Sequence, residues 1–303
     1  MAFSNWVGPA LVQTHSTQTQ QREGMFLYLG GSFIGSCVIL VAIALYFPNR
    51  PPNAPSITAT MERVEFGPGM RQLLGLKNWW LLASSYSVMT GITAAWQSIL
   101  SVVLKDVVFD SDAVAGNIGL WGGFAGQAAG VALSLLSDWV GGKKRGILIV
   151  LAAVSTVLIV IFAWLCLPDG HAGSASGGGS EASLEESASG GGDASWALYA
   201  VSITLNLCQG ACFPIFYEMG VEAAFPIAEG LSMGVLTCGM NVFALIFLAI
   251  PLVLPMGAWL NWAMVASCAY GLLSVVLFRE DYNRTDIDEG RAMAAKASIQ
   301  AHS

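Results

Sequence analysis

Seven long apolar segments place the strongest constraint on how this chain can fold. Each exceeds about 20 residues, the length that a helix needs to cross a hydrocarbon core about 30 Å thick. A helix satisfies its backbone hydrogen bonds internally, so the segments predict an all-α polytopic membrane protein with seven transmembrane helices. Composition agrees, since 55% of the 303 residues are apolar and only 11% are charged. The predicted spans are 25–47, 79–104, 114–137, 146–167, 196–217, 230–254 and 257–278.

Charge and motif content exclude several function classes. The net charge is −7 and the thirteen Lys and Arg residues are scattered, so no basic surface is predicted for nucleic acid. The six cysteines lie in or beside apolar segments without a CxxC pair, and the three histidines lie in tails or loops. We therefore predict no metal and no cofactor. The sequence contains no GxSxG, HExxH or P-loop motif, so we expect no enzyme activity.

The distribution of basic residues predicts the orientation. If the N-terminus is outside, eleven Lys and Arg residues lie in inner segments and two, Arg22 and Lys105, lie outside. This asymmetry follows the positive-inside rule and places the C-terminus in the cytoplasm. The predicted domains are an outer N-terminal segment at 1–24, a separate helix at 25–47, a cytoplasmic linker at 48–78, a six-helix bundle at 79–278 and a cytoplasmic tail at 279–303.

Two of the connecting segments carry their own predictions. Residues 169–195 are rich in Gly, Ser and Glu, a composition that cannot build a core, so we expect a disordered outer loop. Within the linker, the segment FGPGMRQLLGLKN begins at Phe66 and is expected to form a short interfacial helix.

The stretch SDWVGGKKR, residues 137–145, joins the third and fourth spans on the inner side. It resembles the signature between adjacent helices of the major facilitator superfamily, with matches at Asp138, Gly141, Lys143 and Lys144. An acid at a helix end beside a basic cluster can form an ion pair that holds one gating state. The alternative is a plain basic loop that follows the positive-inside rule.

Just upstream, small residues recur at every fourth position, namely Gly122, Gly126, Gly130 and Ser134. Such a stripe lets a second helix approach closely. The stripe therefore predicts a tight helix crossing, which serves either static packing or sliding during gating.

Polar side chains share one face of the second span and recur in two later spans. They are Tyr86, Thr90, Thr93, Gln97 and Ser101, then Asn206 and Gln209, then Thr237 and Asn241. Three polar faces in one bundle favour a solvated pathway, with simple interhelical hydrogen bonding as the alternative. Trp96 lies beside this set and could offer its ring to a cation. No Asp, Glu, Lys, Arg or His lies in the middle of any span, so we do not expect an ordinary proton relay.

The stretch FYEMGVEAAFPIAEG, residues 216–230, contains Glu218, Glu222 and Glu229 without a basic residue. It resembles the junction between helices ten and eleven of the feline leukemia virus subgroup C receptor-related family of major facilitators. Two further stretches are similar to that family's sixth and seventh helices: MFLYLGGSFIGSCVILVAIALYFPNRPPNAPS from Met25 and SYSVMTG from Ser85. The resemblance implies helices six to twelve of a twelve-helix carrier, with an N-terminal half missing. It also implies substrates of the choline, ethanolamine, heme or pyridoxine kind.

We therefore expect a transporter in the lipid bilayer that moves a small organic solute by alternating access. The expected membrane is the plasma membrane or an endolysosomal or vacuolar membrane. The predicted pathway residues are Tyr86, Thr90, Trp96, Gln97, Asn206, Gln209, Thr237 and Asn241. The predicted gating residues are Asp138, Gly141, Lys143, Lys144, Glu218, Glu222 and Glu229. Two alternatives stay open, a seven-helix receptor and a non-transporting half-protein that partners a full carrier.

Overall fold

A computed structural model of the chain describes residues 18–46, 64, 66–105, 111–140, 144–167, 184–254, 257–280, 285, 287 and 290. The described chain is helical. Its helices are α1 (Gln18–Tyr46), α2 (Phe66–Gly75), α3 (Lys77–Ser98), α4 (Leu100–Val103), α5 (Ser111–Val140), α6 (Lys144–Leu165), α7 (Leu184–Ala224), α8 (Glu229–Ala249) and α9 (Trp259–Leu277), with a 3₁₀ turn at Ile250–Leu252.

The chain divides into two compact units, Met1–Met61 and Glu62–Ser303. Helix α1 belongs to the first unit and contains the candidate span Arg22–Tyr46. Within this span the hydroxyls of Ser32 and Ser36 donate to backbone carbonyls four residues earlier. These two hydroxyls can therefore lie in hydrocarbon without losing a hydrogen bond.

Six helices in the described part of the chain are long and apolar enough to cross a membrane. They confirm six of the predicted spans, while the predicted count of seven is not confirmed. The exception is α3, which lies at the second predicted span. This helix carries the polar face of Tyr86, Thr90 and Gln97, and these side chains lower its hydropathy below that of the other six.

Helix α7 differs from its predicted span of 196–217 at both ends. It begins at Leu184, so residues 184–195 of the predicted disordered loop lie in a helix, and residues 168–183 lie outside the described residues. It continues to Ala224 and stops just before Pro226, because the residue preceding a proline is disfavoured in the α conformation. Glu218 and Glu222 consequently lie in its last two turns and not in a loop.

The short helix expected in the linker is confirmed as α2. It packs against the connection between α7 and α8. Val64, just before α2, forms an isolated parallel bridge with Ile227, and a Cβ placed at Gly69 would lie 3.1 Å from Leu231. The linker segment is thus joined to the second unit at the end where α7 stops and α8 begins.

Helices α3 and α5 to α9 form one bundle in the second unit. The most extensive helix contacts join α5 to α7, α8 to α3, α7 to α6, and α9 to both α3 and α6. Smaller contacts of α7 with α3 and α8 complete the arrangement. The bundle interior is apolar and includes the fully buried side chains of Trp79, Trp96, Phe162, Phe216 and Leu148.

Candidate functional site

Three hydroxyl groups from three helices meet inside the bundle, and we call Tyr86, Tyr217 and Thr237 the tyrosine cluster. The Tyr86 hydroxyl donates to the Tyr217 oxygen at 2.9 Å. The Tyr217 and Thr237 oxygens lie 3.1 Å apart, and the Thr237 hydroxyl donates to the Met233 carbonyl at 2.9 Å. The protons can therefore run in one direction, from Tyr86 through Tyr217 and Thr237 to a backbone carbonyl, which satisfies every hydroxyl donor.

A second polar contact joins α3 to α7 nearer the other end of α3. The Gln97 side chain donates through Nε2 to Asn206 Oδ1 at 2.7 Å, and we call these two residues the amide pair. Gln97 follows Tyr86 by eleven positions, and Tyr217 follows Asn206 by eleven. Eleven residues turn a helix through about three full turns, so both contacts lie on one face, about 16 Å apart along the bundle.

The glycine stripe of α5 explains how α7 can approach so closely. A Cβ placed at Gly122 would lie 2.8 Å from Asn206 Nδ2, and a Cβ at Gly126 would lie 2.8 Å from the Asn206 carbonyl oxygen. From the other side, a Cβ at Gly210 would lie 2.5 Å from backbone atoms of Gly126. The tight helix crossing predicted from the stripe is confirmed, and it positions Asn206.

Two predicted pathway residues lie away from this face. Trp96 is 1% exposed, donates through Nε1 to Asn261 Oδ1 on α9 at 2.9 Å and packs edge-on against Phe162 of α6. Gln209 is 3% exposed, with its amide nitrogen 3.6 Å from Cys268 of α9. Each side chain points to the α6 and α9 side of the bundle: Trp96 lies about 100° around α3 from Gln97, and Gln209 lies about 60° around α7 from Asn206. Their place in the predicted pathway stays a prediction.

The remaining predicted pathway residues differ in exposure. Thr90 is buried and donates to the Tyr86 carbonyl of its own helix at 2.5 Å. Tyr86 is also buried, whereas Gln97 and Asn241 are exposed. Asn241 donates through Nδ2 to the Thr237 carbonyl at 2.8 Å. One N–H of each amide, in Gln97 and in Asn241, is thus directed to a protein acceptor.

Charged and polar residues lie close together at the end of the bundle where α3 and α6 begin and α7 and α9 stop. We call this set the end network, and it comprises Asn78, Lys144, Arg145, Glu218, Glu222, Arg279, Glu280 and Thr285. Its central contact is an ion pair between Lys144 at the start of α6 and Glu218 in α7. The Lys144 side chain is 11% exposed and that of Glu218 is 38% exposed, so the ammonium is the more deeply buried partner.

The basic cluster and the acidic stretch that the sequence singled out are therefore brought together through Lys144 and Glu218. The backbone of Asp138 lies in α5, but its side chain lies outside the described residues. Gly141 and Lys143 also lie outside them. Their predicted gating role stays a prediction.

Helices α6 and α9 cap each other at this end. The Glu280 carboxylate accepts from the backbone N–H of Arg145 at 3.0 Å, where the first turn of α6 has free N–H groups. In return, the Arg145 side chain donates to the carbonyls of Val275 and Val276 at 3.3 and 2.5 Å, where the last turn of α9 has free carbonyls. Both contacts place charge where the helix dipole favours it.

Two further contacts tie the segment after α9 to neighbouring helices. Asn78, at the start of α3, accepts from the Arg279 backbone N–H at 2.9 Å and donates to the Arg279 carbonyl at 2.7 Å. Glu222, which is 5% exposed, accepts from the Thr285 hydroxyl at 2.6 Å and from the Thr285 backbone N–H at 3.3 Å. Glu222 thus contacts the tail, whereas Glu218 contacts the basic cluster.

The third predicted acid has a different position. Glu229 is the first residue of α8, where a carboxylate is stabilised by the helix dipole. Its carbonyl accepts from the Ser232 hydroxyl at 3.1 Å. This position accounts for an acidic residue through stabilisation of the start of α8, and Glu229 does not belong to the Lys144–Glu218 ion pair.

Sequence reasoning missed several members of the end network. Asn78 and Glu280 lie just outside apolar segments and belong to no motif, and Thr285 lies in the cytoplasmic tail predicted at 279–303. Nearby, Trp79 is 1% exposed and donates through Nε1 to the Gly220 carbonyl at 3.0 Å. For Asn78 and Glu280 the available signal was position, since each stands at the end of a predicted helix.

Comparison with known proteins identifies the relatives of the chain. No protein-family model matches it. It is 30% identical over 253 residues to solute carrier family 49 member 4 homolog of Xenopus tropicalis, covering 83% of this chain and 51% of the relative. It is 21% identical to an uncharacterized MFS-type transporter of Caenorhabditis elegans, over 91% of this chain and 44% of that protein. It is 22% identical to human choline/ethanolamine transporter FLVCR2, over 74% of this chain and 38% of that protein.

These relatives confirm the resemblance to the feline leukemia virus subgroup C receptor-related transporters. The chain is homologous to two proteins named solute carrier family 49 member 4 homolog, and it spans about half the length of the curated relatives it matches. The helices and the named transporters together identify an integral membrane protein.

Proposed function

We propose, from this homology to solute carrier family 49, that the chain forms one half of a major facilitator carrier that moves a small organic solute by alternating access. The observation that carries the proposal is the shared polar face of α3, α7 and α8. The tyrosine cluster and the amide pair both lie on it, about 16 Å apart. In twelve-helix carriers the substrate site lies between two six-helix bundles, and a polar face on one bundle is what such a site requires.

The chemistry of this face favours a solute that donates hydrogen bonds or carries positive charge. Gln97 and Asn241 are exposed, and each amide supplies a carbonyl oxygen that can accept from the solute, while one of its two N–H donors is used within the protein, on Asn206 or on the Thr237 carbonyl. Tyr217 is partly exposed and offers an aromatic face. We therefore propose a small organic cation of the choline type in preference to an anionic solute such as heme.

Among the described residues of this face, none is Asp, Glu, Lys, Arg or His, the residues that usually couple transport to protons. We propose facilitated movement in which the end network holds one conformation. The Lys144–Glu218 ion pair supports this role, since an ion pair at a helix end can form in one state and open in the other. The excess of basic residues at the same end supports its placement in the cytoplasm.

Uptake measurements test the proposal. Cells would express the chain alone or together with the N-terminal half of the Xenopus tropicalis relative as a separate polypeptide, and copurification would establish that the halves associate. We expect saturable uptake of labelled choline by the associated halves, with less uptake of pyridoxine and none of heme. Equal background uptake of all three by associated halves would contradict a cationic substrate.

Two variants sharpen this test. Gln97→Leu and Asn241→Leu remove surface acceptor oxygens, so we expect each to lower uptake about tenfold, the effect of losing about 1.4 kcal/mol of binding. Val242→Leu is the matched control for Asn241→Leu. Val242 is 45% exposed on the same helix as Asn241, and this substitution leaves the position apolar. Normal uptake by both Leu variants would contradict the proposed pathway.

A further inference from the structure

Thr285 makes the contact in the end network that is best placed for chemical modification. Both oxygens of the Glu222 carboxylate are engaged by this one residue, Oε1 by the hydroxyl at 2.6 Å and Oε2 by the backbone N–H at 3.3 Å. Glu222 belongs to α7, while Thr285 follows α9 by eight positions. The Thr285 hydroxyl therefore contributes the shorter of two hydrogen bonds that hold this residue against the end of α7.

The sequence around Thr285 carries the acceptor pattern of an acid-directed protein kinase. Asp286, Asp288 and Glu289 follow the threonine at the first, third and fourth positions. A kinase with a basic substrate groove selects carboxylates after the acceptor hydroxyl, because charged groups of opposite sign pair across the interface. Ser298, the next hydroxyl along the tail, has no Asp or Glu after it.

Phosphorylation of Thr285 would reverse the sign of its contact with Glu222. The hydroxyl donates a hydrogen bond to the carboxylate, whereas a phosphothreonine carries about −1.5 to −2 charges and only acceptor oxygens. Glu222 is 5% exposed, so water cannot screen the two anions from each other. Like charges at this distance would drive the tail away from α7.

We infer that Thr285 is a phosphorylation site for an acid-directed protein kinase, and that its modification detaches the segment after α9 from Glu222. The inference rests on the cytoplasmic placement of the end network in the proposed function. ATP supplies the phosphoryl group: the bond between the γ-phosphorus and its bridging oxygen breaks, a bond from phosphorus to Thr285 Oγ1 forms, and ADP leaves. The hydroxyl proton passes to the kinase base.

Access of the kinase to Thr285 requires local opening of the tail. Residue 285 is partly exposed, and segments at the edge of a bundle open locally at a lower free energy than the bundle core. The modification would then act on the open form and prevent it from closing again.

Site mapping tests the first part of the inference. The full chain, purified in detergent, would be incubated with ATP and a casein-kinase-2-type enzyme, and the phosphorylated position would be read by mass spectrometry. We expect phosphate on Thr285, at least tenfold less in Asp286→Asn/Asp288→Asn/Glu289→Gln, and unchanged incorporation in Ser298→Ala. Thermal unfolding of each variant would verify its fold. Absence of phosphate at Thr285, or equal labelling in the triple variant, would overturn the inference.

Hydrogen exchange tests the second part. The amide of Thr285 is protected by Glu222 Oε2, so phosphorylation should accelerate its exchange at least tenfold in the full chain. In Glu222→Gln the neutral side chain does not repel phosphate, so the acceleration should be smaller. Equal exchange in the phosphorylated and unmodified chains would overturn the proposed detachment.

The N-R-T triplet at 283–285 separates failure of this inference from failure of the proposed orientation. An N-glycan on Asn283 in protein made by a eukaryotic host would place the segment on the outer side, and would overturn both. An unglycosylated chain without phosphate at Thr285 would overturn the phosphorylation site and leave the proposed carrier intact.

Discussion

The polar face and the end network solve the same problem, polar groups in a membrane bundle, in different ways. On the polar face the groups are neutral, and their protons are directed to neighbouring oxygens or to carbonyls of their own helix. In the end network most of the groups are charged, and they join elements that are distant in sequence, as Lys144 and Glu218 do. A neutral hydrogen-bonded group can lie deep in the bilayer at a small cost in free energy. A charged group costs much less near the helix ends, where water can reach it, than at the bilayer centre.

The difference also separates two functional requirements. A solute that must bind and leave is served by hydrogen bonds of modest strength, which average about 0.6 kcal/mol between membrane helices. An ion pair can hold a conformation, because removing one partner leaves the other charge buried without compensation, which costs several kcal/mol of free energy. Variants of the polar face and variants of the end network should therefore differ in how much they lower stability and how much they lower solute uptake.

The largest effect should come from the helix crossing on which the polar face depends. Gly210→Ala would place a methyl group 2.5 Å from backbone atoms of Gly126, and neither backbone can yield without separating α5 from α7. We expect a loss of about 3 kcal/mol, or roughly 10 °C in thermal midpoint for a protein of this size. Tryptophan fluorescence during heating in detergent would measure it.

A matched control is available on α8. Gly234 has nothing within 4 Å of an added Cβ, so Gly234→Ala should stabilise the chain by about 0.5–1 kcal/mol through the lower entropy of the unfolded state. If both variants lowered the midpoint equally, the close approach at Gly210 would not explain the effect.

The next largest effect should come from the end network and should be asymmetric. Glu218→Ala removes the carboxylate from Lys144, whose side chain is only 11% exposed, and we expect a loss of about 2 kcal/mol. Lys144→Met leaves Glu218, which is 38% exposed and can be hydrated, so the loss should be about 0.5–1 kcal/mol. Unfolding midpoints of the two variants and the double variant would establish the order, and a larger loss for Lys144→Met would contradict it.

A smaller effect on stability should follow from Tyr217→Phe in the tyrosine cluster. The change removes the hydroxyl between Tyr86 and Thr237 but keeps the ring that packs 5.4 Å from Tyr86. We expect a loss of about 1 kcal/mol, with a larger proportional fall in choline uptake. Tyr199→Phe is the control, since Tyr199 lies on α7 and packs near Trp196 at 6.5 Å. Unchanged uptake by Tyr217→Phe would remove the cluster from the pathway.

The smallest expected effect is a change of coupling free energy with salt concentration, which should occur in the end network and not on the polar face. Raising the ionic strength from about 0.05 to 0.5 M shortens the Debye length from roughly 14 to 4 Å. The coupling of Lys144 with Glu218, obtained from the double-mutant cycle, should fall by a few tenths of a kcal/mol. The coupling of Tyr86 with Tyr217 should not change, because both groups are neutral. A salt-dependent tyrosine coupling would mean that an ion contributes to the polar face.

Sequence patterns predicted the helices well because hydropathy and small-residue spacing are local properties. They located six membrane helices, the short helix α2 and the Gly122–Gly126–Gly130 crossing. They were less reliable for side-chain direction. Trp96 and Gln97 are adjacent in sequence, yet one donates to Asn261 inside the bundle and the other to Asn206 on the polar face. Adjacent side chains point about 100° apart around a helix. Which neighbouring helix each one contacts is known only once the packing of the helices is known.

The sequence by itself determined that this chain is a helical membrane protein, which end carries its excess of basic residues, and which helix face is polar. These properties follow from the length of apolar segments and the period of the α-helix. The tertiary structure decided which partners the polar groups take: Lys144 with Glu218, Thr285 with Glu222, and Tyr86 with Tyr217. Each pair is at least 63 residues apart in sequence, and such pairings depend on the packing of whole helices, which no local pattern encodes.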